Sequence, residues 1–260
     1  MKQSTFVVVL VVGALTASIL IYLFVLGNPA NFSDGAGHEK PVNLMGQVYT
    51  GGIIVPILIT LSIMVITFVI ERMLSLKKAS GRGSLATFLK NVQKNLSTGD
   101  IEAAISACDH QRGSLATIIK AGLERYNSLQ KESKNMEAEK QMAEVQRAIE
   151  EATALEMPIL EKNLIAMSTI ASVSTMFGLL GTVIGMIRAF RALAQQGGSP
   201  DAIQLSIGIS EALINTALGL FAGIVGIVAY NFFVNKVDNF TYMIDEASYD
   251  VVQTLTTRGK

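Results

Sequence analysis

The sequence predicts an all-α polytopic membrane protein whose long helices extend beyond the bilayer into the cytoplasm. Three observations predict it. Half of the 260 residues are hydrophobic and only 16% are charged, against about 25% charge in an ordinary soluble domain. Four stretches, 5–26, 51–70, 163–187 and 203–235, are long and almost free of charge, and about 20 such residues suffice to cross a bilayer as a helix. The longest hydrophilic segment carries apolar residues at steps of three and four, the signature of a helix with one buried face. The formal net charge is zero, with no basic excess of the kind that suits nucleic acid.

Residues 1–50 read as an N-terminal transmembrane helix followed by an external loop. Lys2 precedes Thr5–Leu26, and that run of 22 residues is longer than the roughly 7–15 of a signal-peptide core. No A-x-A cleavage site follows, so an uncleaved helix fits better than a signal peptide. From 27 to 50, Gly, Pro, Asn and Asp are frequent, and Pro29 and Pro41 discourage a continuous helix. Asn31-Phe32-Ser33 matches the glycosylation triplet, a pattern common by chance.

Residues 51–73 form the next predicted span. Its charge-free part ends at Glu71 and Arg72, and Pro56 falls in the first turns, where a missing N–H costs least. Arg72, Lys77, Lys78, Arg82, Lys90 and Lys94 make the densest basic segment near any span end. The positive-inside rule puts that end in the cytoplasm. The loop 27–50, with Lys40 as its only Lys or Arg, is then external. Parity places the N-terminus inside, the break at 192–202 outside and the C-terminus inside. Arg188 and Arg191 fall on the external side, where long arginine side chains reach the headgroups.

Residues 74–162 are the predicted cytoplasmic helical domain. Short helices are expected at 84–96 and 100–108, divided by the breaker Ser97-Thr98-Gly99, and at 115–129. A longer one begins near Asn135, with Met142, Val145, Ile149, Ala152, Leu155 and Ile159 on one face and Glu144, Arg147 and Glu151 opposite. Pro158 predicts a kink, and no stop signal separates this helix from the span at Asn163. Cys108, the single cysteine, reads as an inert thiol. His38 and His110 are too few and too distant for a metal site, so neither metal nor cofactor is expected.

Residues 163–240 are the predicted channel core, two long apolar helices joined by the hydrophilic break QQGGSPD. The second stretch, Ile203–Asn235, would extend about 50 Å as a helix, more than the roughly 30 Å hydrocarbon core, so its excess should project into the cytoplasm. The tail, 241–260, starts helically and is expected to fray from Thr254.

Glu211 is the one charge in that second stretch. An acid at membrane depth is costly and usually marks an ion or substrate path or a paired charge. The plainer alternative is a glutamate bonded to hydroxyls or to Arg188. Ala212, Thr216, Gly219 and Gly223 recur at three or four residues and share a small face. Ser174, Gly178, Thr182 and Gly185, with Gly181 between them, offer a matching one. Such faces permit close helix packing and present Thr182 and Thr216 beside a narrow passage, or let both threonines bond backbone carbonyls and serve contact alone. Glu211 lies about 140° around the helix from Thr216, which suits a ring of copies with the acid near one interface and the threonine near the lumen.

The strings GLLGTVIGM (178–186) and EALINTALGL (211–220), 33 residues apart, with Ala229-Tyr230-Asn231 after them, resemble the TolQ/ExbB/MotA proton-channel family, and most closely its TolQ/ExbB branch. The resemblance covers about residues 45–240. It implies a homopentamer around a dimer of an ExbD/TolR-like single-span protein that supplies a membrane aspartate. It implies also a TonB/TolA-like periplasm-spanning partner, residence in the bacterial inner membrane, and use of the proton gradient to drive outer-membrane transport or envelope maintenance. By match, Thr182 and Thr216 resemble the family's pore-facing threonines and Glu211 its acid near the channel. Two positions usually held by proline are Thr175 and Val225 here, and the span 5–26 is additional to the family's three. An inert membrane scaffold and a flagellar-type stator subunit are the other functions this sequence suits. An enzyme is not expected, since no nucleotide loop or nucleophilic triad stands out.

Overall fold

A computed structural model describes residues 2–38, 40–132, 137–194 and 202–258. The hydrophilic break at 195–201 and the expected helix start near Asn135 lie outside the described residues. All regular elements among them are helical: α1 Lys2–Leu20, α2 Leu44–Tyr49, α3 Ile54–Ala79, α4 Leu85–Thr98, α5 Ile101–Gln111, α6 Ser114–Glu132, α7 Ala138–Glu161, α8 Leu164–Ala194 and α9 Ala202–Arg258. Among the described residues, four helices long and apolar enough to span a bilayer overlie the four stretches read from the sequence, although 51–53 form a turn ahead of α3 and Asn163 lies outside α8. Hydrocarbon offers no partner for a free N–H or C=O, so such stretches close their backbone bonds internally.

The chain divides into two compact units. One holds Met1–Ile70 and Leu164–Asn231, the other Glu71–Asn163 and Phe232–Lys260. In the first, α1 continues as a π-helical turn, Ile21–Leu26, closed by Gly27 N–H donating to the Tyr22 carbonyl at 2.9 Å. The wide turn frees carbonyls, and Asn31 takes two of them, its Nδ2 donating to Val25 O at 2.8 Å and Leu26 O at 3.0 Å. Asn31 is buried, and its Oδ1 accepts from Asn43 Nδ2 at 2.9 Å, so the asparagine of the triplet is taken up by structural bonds. Tyr22 stacks on Tyr49 with centroids 4.6 Å apart, Phe32 packs edge-on to Tyr49 and to His38, and the His38 ring lies tilted 5.0 Å from Tyr49. The hydroxyls of Ser18 and Thr60, 2.7 Å apart and buried, tie α1 to α3.

In the second unit the predicted breaker acts through two neighbours. Gly99 ends α4 in the left-handed conformation (φ 90°), and Asp100 caps α5, its Oδ1 accepting from Ala103 N–H at 2.8 Å. Helices α6 and α7 run antiparallel, with Arg125 bonded to Glu144 at 2.6 Å and Ile149 seated on Gly122. Cys108 is buried, and burial pushes its thiol up to about 12, so it stays protonated and unreactive.

Three expectations change here. The single apolar face of α7 does not persist: Val145 and Ile149 are buried, whereas Leu155 and Ile159 are 76% and 51% exposed and Leu160 is buried instead. The antiparallel α6 starts at Ser114 and runs out opposite this part of α7. Pro158 sits inside α7 without ending it. The break comes later, at Lys162 and Asn163, where Asn163 adopts φ 62°, a conformation asparagine tolerates better than most residues. Finally, α9 runs unbroken to Arg258, past the expected fraying at Thr254.

Arg72, read as one of the basic cluster, is fully buried. It donates to Glu71 at 3.1 and 3.2 Å, to the Leu160 carbonyl at 2.9 Å and to Ser75 at 3.1 Å, and Asn163 Nδ2 donates to the same Glu71 at 3.0 Å. This network fixes the end of α7 to α3. A buried guanidinium is tolerable only with its donors satisfied in this way.

Candidate functional site

The site is built on the antiparallel pair α8 and α9. Their contact is made of backbone. A Cβ placed on Gly219 would lie 2.7 Å from the Cα of Gly178 and from the Ser174 carbonyl, and one on Gly185 would lie 2.6 Å from the Gly208 carbonyl and 2.7 Å from Ala212 N. Gly181 is filled by the Asn215 side chain, and Gly223 closes on Thr175, whose Oγ1 a Cβ there would meet at 2.5 Å. Each step of three or four along α8 is thus matched by an equal step back along α9. Ser174, Gly178, Gly181, Gly185, Ala212, Gly219 and Gly223 all lie buried in this seam. Where lipid gives helices no hydrophobic drive to associate, such close approach supplies dispersion contacts instead. Both helices pass Thr175 and Val225 without interruption.

Glu211 is the one buried carboxylate among the described residues, with 1% of its side chain exposed. Arg188, one turn of helix beyond the Gly185 contact, donates from Nη1 to both carboxylate oxygens, at 2.9 and 2.8 Å, while its own side chain is 58% exposed. The carboxylate is roofed by the turn preceding α3. Gly52 (φ 73°) stands so close that a Cβ there would lie 2.7 Å from Glu211 Oε1. Tyr22 lies within electrostatic reach of both Glu211 and Arg188, so the additional N-terminal helix contributes to this neighbourhood.

Thr182 and Thr216 are placed differently. Thr182 is half-buried, donates to the Leu179 carbonyl at 2.5 Å and lines an open depression with Val183, Met186, Ile187 and Phe190. Thr216 donates to the Ala212 carbonyl at 3.2 Å and, across the seam, to the Gly178 carbonyl at 3.4 Å. Within one chain, then, both hydroxyls have backbone partners, and the acid is paired to Arg188.

Sequence reasoning gave Asn215 no role. It is fully buried, it donates from Nδ2 to the Gly51 carbonyl at 2.8 Å, and its Oδ1 has no hydrogen-bond partner. A polar residue four positions after an acid in a membrane helix is the signal that could have found it.

Residues 110–246 match the family model of the MotA/TolQ/ExbB proton channel family, a match that starts later than the sequence resemblance at residue 45. The chain is 38% identical to the Tol-Pal system protein TolQ of Pseudomonas aeruginosa over 116 residues, 45% of this chain and 49% of that protein. With TolQ of Haemophilus influenzae it shares 45% identity over 86 residues, 33% of this chain and 37% of the relative. The biopolymer transport protein ExbB of Aquifex aeolicus is 33% identical over 119 residues, 46% of this chain and 71% of that protein. The alignments span half or less of the two TolQ relatives. The family is one of channels and not of enzymes, and the chain belongs to it, on the TolQ/ExbB branch.

Proposed function

We propose that this chain is the proton-channel subunit of a multi-pass, inner-membrane energy-transducing complex, in which the proton motive force drives outer-membrane transport or envelope maintenance. The observation that carries the reading is Glu211, buried in an apolar helix beside Arg188 and within the family's matched segment. An acid held there is an expensive feature, and proton relays are a leading reason for one. One charge crossing 100 mV yields about 2.3 kcal/mol, enough over repeated transfers to move one element past another.

The working assembly is a homopentamer around a dimer of an ExbD/TolR-like single-span protein. This chain offers no aspartate in its apolar stretches, so that partner supplies it, and a TonB/TolA-like protein carries the movement across the periplasm. The basic residues from Lys77 to Lys94 face the cytoplasm, with both termini on that side. Thr182 and Thr216 line the ion path in the assembled ring, and Glu211 stands near a subunit boundary.

A scaffold reading has one observation in its favour, the backbone partners of both threonine hydroxyls. Ion flux separates the two. The complex, purified with its small partner and placed in vesicles, should acidify or alkalinise the lumen under an imposed pH gradient. Glu211→Gln and Thr182→Ala should reduce that flux at least about tenfold, with assembly intact. Unchanged flux in both variants overturns the motor reading, and flux that follows a sodium gradient instead replaces the ion.

A further inference from the structure

The acceptor left over in the site points to a partner for the neutral acid. Two polar side chains one helical turn apart on α9, Glu211 and Asn215, are 1% and 0% exposed. Both sit under the same turn, whose residues have no side chains. A Cβ on Gly52 would come within 2.7 Å of Glu211 Oε1, and one on Gly51 within 3.2 Å of Asn215 Oδ1. The orientation of the carboxamide is set by the Gly51 carbonyl 2.8 Å from Nδ2, since flipping it would press two acceptors together. That leaves Oδ1 buried and unpartnered. Such a group costs roughly 1–3 kcal/mol, and each case in a native protein calls for an explanation.

Glu211 as a carboxylate is acceptor-only and is served by Arg188. As a carboxyl it carries one O–H that must find an acceptor. On a helix, side chains four apart are neighbours about 5–6 Å between Cβ atoms, close enough for a carboxyl-to-amide bond. We propose that Asn215 is a positioning residue for the protonated state: when Glu211 takes a proton, its O–H turns from Arg188 and donates to Asn215 Oδ1. The proton comes from the hydrated route and stays on the carboxyl. Arg188 keeps its charge and, being 58% exposed, turns to water or headgroups. Tyr22, in the π-helical turn that follows α1, is a further ionisable group within electrostatic reach of Glu211, and its hydroxyl already donates to the Tyr49 carbonyl at 3.3 Å. Each charge state of Glu211 then has its own partner on a different helix, so proton uptake exchanges a bond to α8 for one within α9. This rests on the proposed protonation of Glu211 but not on net flux through the complex.

The test is difference infrared spectroscopy of the full complex in lipid as pH is varied, with Asn carboxamides labelled with carbon-13 and Glu211→Gln identifying the acid's band. In the wild type, the Glu211 carboxyl band should appear at a hydrogen-bonded frequency, and a labelled Asn band should shift with it. Both signals should vanish in Glu211→Gln. In Asn215→Ala the carboxyl band should move to the higher frequency of an unbonded carboxyl. A carboxyl band with no accompanying Asn signal in the wild type overturns the proposal, as does an unshifted band in Asn215→Ala or the absence of any Glu211 band while the complex is intact. The wild-type measurement decides even if the variant fails to assemble. A coupled Glu211–Asn215 signal without ion flux would leave this switch standing and remove the proton-channel reading instead.

Discussion

Helix α9 is two helices in one, and its halves bury opposite things. From Gly208 to Gly226 the buried positions are Gly208, Glu211, Ala212, Asn215, Gly219, Ala222, Gly223 and Gly226, while Leu213, Leu220, Phe221 and Ile224 point outward. From Phe233 onward the buried positions are Phe233, Val237, Phe240, Ile244, Ala247, Val251 and Leu255, while Asp238, Asp245, Glu246 and Asp250 point outward. The spacing is the same three-and-four step throughout. What differs is the solvent each half is built for. In water, burying a large side chain is the main driving force, whereas in lipid it gains nothing over facing the acyl chains, and small residues that admit a neighbouring backbone are favoured.

The strongest way to break this comparison is to truncate a large side chain in each half. Ile244 is 1% exposed in the second unit, and Ile244→Ala should cost about 2–5 kcal/mol, read as faster hydrogen exchange across α4 to α7. Phe221, 61% exposed on the apolar half, should lose under about 1 kcal/mol when truncated in lipid, because its ring leaves no packed site behind. Equal losses at the two positions would show that the apolar half is not organised by close backbone approach.

Small residues should show the reverse. Gly219→Ala puts a methyl against the Cα of Gly178 and the Ser174 carbonyl, and backbone cannot step aside as a side-chain tip can. A loss of about 1–3 kcal/mol follows, measured as a lower midpoint of thermal unfolding in lipid. In an ordinary helix the exchange of glycine for alanine stabilises by up to about 1 kcal/mol. Ala247→Gly, in the water-facing half, should therefore lose about 1 kcal/mol. The sharp observation is the sign: the same methyl should harm one half and help the other.

How much of this was legible in the sequence follows from the same contrast. The spans, the Gly99 stop, the small-residue faces and the Glu211 anomaly are local patterns of composition and spacing, and residues alone display them. The three-and-four run from Phe233 to Leu255 is equally written in the chain, but the charge-poor composition that marks a span ends at Asn235, and Lys236, Asp238, Asp245, Glu246 and Asp250 break up the pattern beyond it. Other features have no local signal. Arg72 looks like any basic residue at a span end, and its burial depends on the Leu160 carbonyl and on Glu71, itself held by Asn163, far away in sequence. Asn163 ends a helix that Pro158 does not, through a positive φ that only the packed structure demands. Asn215 and the Gly51–Gly52 roof meet across more than 150 positions, a juxtaposition fixed by three-dimensional packing.

The smallest expected effect compares two arginine–glutamate pairs. Arg188 serves a buried carboxylate, whereas Arg125 and Glu144 meet at 2.6 Å on the surface of the second unit, their side chains 40% and 36% exposed. The Arg125 guanidinium bonded to Glu144 holds that carboxyl below its ordinary range. A lowered folded-state value means that the pair contributes above the pH at which the unfolded glutamate titrates, and that the contribution fades as pH falls through the folded-state value. Water and salt screen it, so a double-mutant cycle with Arg125→Gln and Glu144→Gln should give a coupling smaller than every effect above, present near neutral pH and absent in strong acid or high salt. A coupling that survives high salt would mean that this pair is enclosed in the assembled protein. The contrast with Arg188 and Glu211 would then narrow from exposed against buried to a difference of solvent alone.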